Sequence, residues 1–389
     1  MKLRYAVVIL LFAIAAFAQP ATPPQSPVAP WNFVVAGDSR NCGDVIMPAI
    51  AQGAKRNNAQ FYWHLGDWRA IYTFDEDMVQ ALLMENNALA PAKQKTLHLD
   101  GYLRSAFQDA IANQLGPFDV AKVPVFAGIG NHETMWPMSR PAFVRAFHSY
   151  LDAPAIRQQR IADSPYAFDL PVETYYHVTI GGIDFISMDN GSCDMFDEAQ
   201  MDWVTALLDR DSQDAKIHTI VVGMHAALPD SRSCGHSMGN YTRQRDTGRR
   251  VYHLLLNVRD SYNKQVYVLS SHSHFVMDNV YDTPYWHANG GVLPGWIVGT
   301  SGAVRYRLPA GVTPGPNTKT DVYGYLLGTV ATDGSVTFGF HELTLADIPQ
   351  AVLIKYSEKW IMDTCFVGNR DFSAQGGTCP PMKQCSPGD

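Results

Sequence analysis

The segment VFAGIGNHE, residues 125–133, decides the fold of this chain of 389 residues. It begins with apolar residues that are typical of a buried strand and ends on Gly130, Asn131, His132 and Glu133. A single ending of this kind is most often a turn or a helix cap. Its meaning therefore depends on whether other strands of the chain end in the same way.

Four more apolar runs stop on a residue type that ligates metal ions. They are VVAGD, ending on Asp38; WHLGD, ending on Asp67; VVGMH, ending on His225; and VLSSHSH, ending on His272 and His274. Because the carboxyl ends of strands in an open α/β sheet meet at one crevice, we expect these groups to lie close to Asn131 and His132. Five endings of one kind are hard to ascribe to turns alone.

The residue types favour a transition-metal site. Asp, His and an Asn carbonyl form a mixed oxygen and nitrogen set that suits Zn, Mn or Fe better than Ca. His272 and His274 point the same way if their strand continues, whereas they hold two neighbouring ions if the chain turns between them. Two divalent ions with few carboxylates leave such a site positive, and a positive site attracts a phosphate.

The order of the predicted elements indicates an α/β fold with mixed sheets, since strands alternate with helices first and pair antiparallel later. Hairpins are predicted at Gly181-Gly182 and around Asp333-Gly334. Asp197 is expected to cap a helix, with Gln200 completing a capping box. A long helical stretch is expected over roughly residues 75–115.

The amino terminus has the pattern of a secretory signal peptide. Lys2 and Arg4 precede an apolar run, and a small-x-small cleavage sequence ends at Ala18. The run is shorter than the roughly 20 residues that span a bilayer, so we expect no membrane anchor after cleavage. An even number of cysteines, six, suggests disulfides in a secreted or periplasmic protein, with the pairing left open.

The charge of the chain bears on its partners. A formal net charge of -7 disfavours a general nucleic-acid binder or a nuclease, because such proteins carry a basic surface. With 46% hydrophobic and 17% charged residues, the composition is that of an ordinary globular protein. We therefore expect a small-molecule partner and no nucleic acid.

The order and spacing of the motifs resemble the calcineurin-like metallophosphoesterases, which include the purple acid phosphatases. The family pattern is Asp-x-His, Gly-Asp, Gly-Asn-His-Glu/Asp, a His, and Gly-His-x-His. Here it reads GDSR (37–40), GDWR (66–69), GNHE (130–133), VGMH (222–225) and SHSH (271–274), within a match over about residues 31–275. GNHE is the most specific of these motifs, and GD alone is weak.

The resemblance implies a four-layer α/β/β/α sandwich of two mixed sheets with a two-metal centre. Its ligands would be Asp38 and His274 for one ion, Asn131, His225 and His272 for the other, and Asp67 as the bridge. The ions, divalent or trivalent, would activate a hydroxide that attacks a phosphomonoester or phosphodiester. His132 would protonate the leaving oxygen or stabilise its developing charge.

The amino-terminal pattern, the composition and the resemblance together set the expected domain limits. Residues 1–18 would be the signal peptide, residues 19–30 a Pro-rich linker, and residues 31–345 the metallophosphoesterase domain. Residues 346–389, which hold three cysteines, are expected to form a stapled loop rather than a packed core.

The sequence departs from the family pattern at the first motif, where Arg40 replaces the histidine. Arginine cannot ligate a metal, because it stays protonated. It either clamps the substrate phosphate or faces away from the site. The purple phosphatases use a tyrosine instead, but that position is Ala70, with Tyr72 two residues on. The alternative is therefore a catalytically weakened binding protein that holds one metal or none.

Several other residues have weaker signals. Asn190 is a candidate for substrate binding, although a role in a turn fits as well, and His64 is expected to pack in the core. Trp68 and Arg69 follow Asp67 directly and could line the rim of the pocket, whereas His236 is more simply a surface residue.

Overall fold

The computed structural model describes residues 29–371, apart from residues 70–74, 95–98, 165, 167–170, 193–194, 234–235 and 240–241. The expected signal peptide, most of the expected linker, Ala70 and Tyr72 lie outside the described residues. None of the helices in the described ranges has the length and apolar character that crossing a membrane requires.

The described strands form two mixed sheets. From edge to edge, the first sheet contains β11 (Val336–Leu343), β10 (Tyr323–Val330), β1 (Trp31–Ala36), β2 (Ala59–His64) and β3 (Val125–Ala127). The second contains β4 (Tyr176–Ile180), β5 (Ile183–Ser187), β6 (Thr219–Gly223), β7 (Gln265–Ser270), β9 (Gly295–Val298) and β8 (Val276–Asp278). The central strands of each sheet run parallel, and the antiparallel strands lie toward the edges.

Helices pack on both sheets. The described helices are α1 (Gly43–Arg56), α2 (Glu76–Asn87), α3 (Leu99–Ala110), α4 (Gly116–Ala121), α5 (Arg140–Ala146), α6 (His148–Leu151), α7 (Pro154–Asp163), α8 (Glu198–Gln213), α9 (Thr242–Tyr262), α10 (Pro284–Ala288), α11 (Gln350–Tyr356) and α12 (Glu358–Trp360). Helices α8 and α9 pack on the second sheet in one apolar cluster, and α1 packs on the first. The predicted four-layer α/β architecture is confirmed.

Aromatic side chains join the two sheets. The ring of Phe185, from β5, lies 5.0 Å from the rings of Phe33 and Phe61, which come from β1 and β2. All three side chains are buried, and both contacts are edge-to-face, the arrangement that aromatic pairs prefer. The sheets are thus packed face to face, with the ends of their parallel strands at the same side of the molecule.

Two local predictions are confirmed and two need correction. The hairpins β4–β5 and β10–β11 form as predicted. The expected helix over residues 75–115 is interrupted after Asn87, because Pro91 cannot continue a helix interior, and α3 begins only at Leu99. Asp197 does cap α8, but the side chain of Gln200 bonds the backbone of Asp189 instead of completing a capping box.

The carboxyl-terminal segment is helical where a loop was expected. Helices α11 and α12 are followed by a π-helix over Ile361–Gly368, and Tyr356, Ile361 and Cys365 are buried in the main core. Cys365 is bonded to Cys42, which directly precedes α1. The prediction of a loop is therefore wrong as far as residue 368, while Cys379 and Cys385 lie outside the described residues.

Removal of this disulfide should destabilise the protein. The Cys365→Ser variant should lose about 2–5 kcal/mol of unfolding free energy, since a cross-link restricts the unfolded chain. The two half-cystines are 323 residues apart, so the loop that the bond closes is very long. Urea unfolding followed by circular dichroism measures the loss. Cys42→Ser should give the same loss, and variants as stable as the wild type would show that the bond does not form.

Candidate metal centre

The site is built from the loops that follow five strands. Asp38 follows β1, Asp67 follows β2, Asn131 follows β3, and the histidines follow β6 and β7. The prediction that these strand ends meet is confirmed, but the strands belong to two facing sheets and not to one. The centre therefore lies where the two sheets open onto the same side of the sandwich.

Three of the predicted ligands have left-handed backbone conformations. The φ angles are +61° at Asp38, +61° at Asp67 and +65° at His272. Such angles are uncommon outside glycine and concentrate at functional sites. At His272 the chain turns, so His272 and His274 do not continue β7. Of the two possibilities for this pair, the turned chain with two separate positions is correct.

One side of the centre gathers around His225. One ligand atom each from Asp67, His225 and His272 lies within 4.8 Å of the others. The carbonyl oxygen of Leu65, 3.0 Å from Nδ1 of His225, can only accept a hydrogen bond, so Nδ1 carries the proton. Nε2 then lies 3.0 Å from Oδ1 of Asn131 and 3.4 Å from Oδ1 of Asp67.

Nε2 of His225 and the Oδ1 atoms of Asn131 and Asp67 together attract positive charge. Burial alone would lower the pKa of His225, but Asp67 and other nearby carboxylates raise the pKa to about 10. A cation between Nε2 and the two oxygens satisfies the same attraction, and histidines that bind metals characteristically donate their other N–H to a carbonyl. The residues on this side therefore fit a metal ion.

The other side of the centre gathers around Asp38. Its Oδ1 lies 3.2 Å from Nε2 of His274, whose Nδ1 donates to the carbonyl of Val304 at 2.7 Å. Oδ2 of Asp38 accepts the backbone N–H of His272 at 2.8 Å. Oδ1 is buried and has no hydrogen-bond donor among the residues that the structure describes. A buried oxygen without a donor beside a histidine lone pair fits a second cation.

Glu133 holds the loops of the centre together, and sequence reasoning missed it. Its buried carboxylate accepts the backbone N–H groups of Asp67 at 2.9 Å, Trp68 at 2.9 Å and Gly130 at 2.8 Å. Gly66 allows the loops to approach, because a Cβ there would lie 2.4 Å from the nitrogen of Gly130. The only signal in the sequence was an acid at the end of the specific GNHE motif.

Arg40 lies in the site, so the expectation that it might face away is wrong. Its guanidinium contacts both ring nitrogens of His132, with Nη1 3.2 Å from Nδ1. The backbone N–H of His132 donates to Oδ1 of Asp67 at 3.0 Å, and its Nε2 lies 3.6 Å from Oδ2. Burial lowers the pKa of His132 to about 3, and Arg40 adds to the effect. His132 is therefore a neutral imidazole beside a cation.

Two other candidates have structural contacts. The Nδ1 of His64 accepts from the N–H of Gly66 at 3.1 Å, and its ring stacks on Trp68 at 3.6 Å, so the core role is confirmed. The amide of Asn190 bonds both the carbonyl and the N–H of Ala226, at 2.8 and 3.1 Å. Asn190 thus fixes the loop after His225, and its two amide contacts are with backbone and not with an open pocket.

The expected positions of Trp68, Arg69 and His236 relative to the pocket were wrong. Trp68 and Arg69 do not line a rim, since both are fully buried. His236 is half-buried, with its ring 5.1 Å from that of His272 and 5.5 Å from that of Tyr306. No motif could have placed His236 there, because its loop is held by long-range contacts such as the hydrogen bond between Ser233 and Ser273, at 3.1 Å.

The sequence matches no protein-family model, and no curated protein matches it. Among solved structures, PhoD is similar, with 16% identity over 82% of this chain and 73% of that chain and a TM-score of 0.47. Purple acid phosphatase PPD1 from yellow lupin (Lupinus luteus) has 15% identity over 83% of this chain and 56% of that chain, with a TM-score of 0.49.

A dimetal phosphatase from Danio rerio is also similar, with 11% identity over 77% of this chain and 93% of that chain and a TM-score of 0.45. Two of these three neighbours are phosphatases by name, and the other is PhoD. At these identities and TM-scores, the likeness identifies no activity for this chain.

Glu133→Gln should weaken both the fold and metal binding. The glutamine amide turns an N–H toward donors that now bond a carboxylate, and leaving buried N–H groups unsatisfied costs about 1–3 kcal/mol. Urea unfolding should show this loss, and elemental analysis should show less bound metal per chain. Glu198→Gln, at an exposed position in α8, is the matched control and should change neither quantity. Normal metal content in Glu133→Gln would contradict the role given to Glu133.

Proposed function

We propose that this chain is a metal-dependent phosphoesterase that hydrolyses phosphomonoesters or phosphodiesters. The observation that carries the proposal is the meeting of buried ligand atoms from Asp67, His225 and His272 beside Oδ1 of Asp38, which has no hydrogen-bond donor among the described residues. Asp38, Asp67 and His274 would hold one ion. Asp67, Asn131, His225 and His272 would hold the other. The mixed donor set suits Zn, Mn or Fe.

When bound, such ions supply a water of lowered pKa and polarise the oxygens of a phosphoryl group. The protein's own contribution starts with the carboxylates of Asp38 and Asp67. The backbone N–H of His272 donates to the carboxylate of Asp38, and the backbone N–H of His132 donates to the carboxylate of Asp67. These bonds orient the carboxylates before substrate arrives, so little reorganisation is needed during the reaction.

Arg40 is proposed to bind the phosphate. A guanidinium donates two parallel hydrogen bonds to phosphate oxygens and neutralises charge in the transition state. His132 holds Arg40 in the site by accepting from it, because an arginine can only donate. A neutral His132 beside a cation favours stabilisation of the leaving oxygen over its protonation. Of the two roles expected for His132, charge stabilisation is therefore the better supported.

We also infer that the protein works outside the cytoplasm, in the periplasm or as a secreted protein. The signal-peptide pattern before residue 19 supports this location. The disulfide between Cys42 and Cys365 adds support, since such bonds persist in oxidising compartments.

Metal removal should abolish the activity. Wild-type protein screened against nucleotides, sugar phosphates, phospholipids and model diesters, with Zn, Mn or Fe added, should hydrolyse at least one class. A chelator should remove this activity, and Asp67→Ala should lower kcat/KM by about 10³-fold, the loss typical of a missing group that stabilises the transition state. Asp202→Ala, at an exposed position in α8, should retain full activity. A protein that binds one ion or none and hydrolyses none of these esters is a binding protein instead.

Arg40→Ala should impair substrate binding and catalysis without loss of metal. Hydrogen bonds to charged groups contribute about 1.5–3 kcal/mol, so kcat/KM should fall roughly 10–100-fold. The loss should be greater for a monoester dianion than for a diester monoanion, since attraction scales with charge. Arg40→Lys should recover only part of it, because lysine lacks the planar fork.

The matched control is Arg145→Ala, at an exposed position in α5, which should leave kcat/KM unchanged. Unchanged kinetics in Arg40→Ala, with the wild-type metal content, would remove Arg40 from the proposed mechanism.

A further inference from the structure

A second group of metal-ligating side chains lies around His177 of β4, apart from the candidate metal centre. Asp184 of β5 and Asp211 of α8 face His177, and one ligand atom from each of the three lies within 4.8 Å of the others. All three residues are buried. Asp184 precedes the end of β5 by three residues, or about 10 Å, so the group lies well below the edge that carries the centre.

The two ring nitrogens of His177 have different partners. Nδ1 lies 2.8 and 3.0 Å from the two carboxylate oxygens of Asp184. Nε2 lies 2.6 Å from Asp163 of α7, which in turn accepts from Arg210 at 2.7 Å. A carboxylate that accepts from one ring nitrogen fixes the tautomer and makes the other nitrogen a better ligand, as around metal-bound histidines. With Nε2–H donating to Asp163, Nδ1 is the nitrogen that a metal ion would take in exchange for the proton that now faces Asp184.

Asp211 supplies an observation that is independent of His177. Its Oδ1 accepts from Nε of Arg210 at 3.1 Å, whereas Oδ2 is buried with no hydrogen-bond donor among the described residues. Its ligand oxygen lies within 4.8 Å of that of Asp184, and two buried carboxylates this close repel each other unless a proton or a cation lies between them. The arrangement thus points to a positive ligand at Oδ2.

We propose that His177, Asp184 and Asp211 bind a third metal ion, a divalent cation of the zinc type. One imidazole and two carboxylates are ligands that zinc takes, with water as a fourth. Bonds of about 2.0–2.2 Å in a tetrahedron place neighbouring ligand atoms about 3.3–3.6 Å apart. Nδ1 of His177 lies 2.8 and 3.0 Å from the Asp184 oxygens, so these atoms need to separate by roughly 0.3–0.8 Å, which small side-chain rotations supply.

The charges of the cluster balance once such an ion is counted. Asp163, Asp184 and Asp211 are three carboxylates, and Arg210 is the one arginine bonded to them in the described contacts. With the Nδ1 proton of His177 replaced by the ion, so that the imidazole is neutral, three negative charges, one guanidinium and a divalent ion sum to zero. A neutral sum matters here, because an uncompensated buried charge costs several kcal/mol.

A cavity of about 260 Å³ adjoins the cluster at His177. It is lined by His177 and Asp163, with Tyr175 and Trp203 as aromatic walls, and its lining includes the exposed Glu173. The ion would tie α8 to the edge of the second sheet, since Asp211 belongs to the helix and His177 to the edge strand. Its role would be structural and would not depend on the phosphoesterase reaction.

The experiment counts zinc per chain and needs no assay of activity. Full-length protein is stripped of metal with a chelator, dialysed against Zn²⁺, freed of loose ions by gel filtration and analysed for zinc. Asp211→Asn should bind one ion fewer than the wild type. Asp209→Asn removes an exposed carboxylate from the same helix and should match the wild type. Equal zinc in all three proteins would overturn the proposal.

A variant that lacks ligands of the candidate metal centre tests the third site by itself. The triple variant Asp38→Asn/Asp67→Asn/His225→Ala should retain one zinc per chain, and adding His177→Gln should remove it. Loss of all zinc from the triple variant, with its circular dichroism unchanged, would count against the third site. If the centre itself binds no metal, the wild type should still hold one ion that Asp211→Asn loses. Failure of the proposed function is thus distinguishable from failure of this inference.

If Asp211→Asn does not fold, the absorption of bound Co²⁺ tests the third site instead. Tetrahedral Co²⁺ absorbs visible light, and the triple variant loaded with Co²⁺ should show such absorption. His177→Gln in that background should abolish the band. A spectrum like that of hydrated Co²⁺ in the triple variant would exclude a tetrahedral site made by these three residues.

Discussion

The backbone of Asp67 is fixed by one buried carboxylate, that of Glu133, and the arrangement of the centre depends on it. The N–H of Asp67 and the N–H of Gly130 both donate to Oε2 of Glu133, and the N–H of Trp68 donates to Oε1. Glu133 therefore joins the loop after β2 to the loop after β3. The carbonyl of Asp67 also accepts the N–H of Ser39, directly after Asp38, at 2.8 Å, so displacement of this backbone would disturb the loop that carries Asp38 as well.

Arg69 secures the same loop from the other direction. It forms ion pairs with Asp44, Asp75, Asp77 and Asp109. One guanidinium does not balance four carboxylates, and burial raises the pKa of Asp44 and Asp77 to about 7 although Arg69 opposes the shift. The interior thus reduces its excess negative charge by holding protons, as expected where desolvation outweighs attraction.

The carboxyl-terminal helices take part in this network. The hydroxyl of Tyr356, in α11, donates to Asp44 at 3.0 Å, and the disulfide joins Cys365 to Cys42. Cys42 and Asp44 flank the start of α1, directly after the loop that carries Asp38 and Arg40. The last described helices therefore brace the first loop of the site, although more than 300 residues separate them: the two cysteines are 323 positions apart.

The parts of the fold that the sequence predicts are those set by neighbours along the chain. Strand endings follow from apolar runs that stop on glycine, and hairpins follow from Gly181-Gly182 and Asp333-Gly334, since these turn types need glycine. The parts that it did not predict depend on distant residues. Arg69 was expected near the surface, since no acidic partner set is visible next to it in the sequence. The four carboxylates that pair with it in the interior are spread over residues 44–109.

The exchange of the first-motif histidine for Arg40 is compatible with a catalytic centre. A catalytic zinc ion commonly has three protein ligands and keeps one position open for water or substrate. In the proposed centre, Asp38, His274 and Asp67 would make three on the side that lacks the histidine. The guanidinium is held against His132, beside Asp67, where it adds a fixed positive charge that a neutral histidine ligand would not. Under this proposal the chain would exchange one ligand for an open coordination position and a cation, both of which would serve a phosphate substrate.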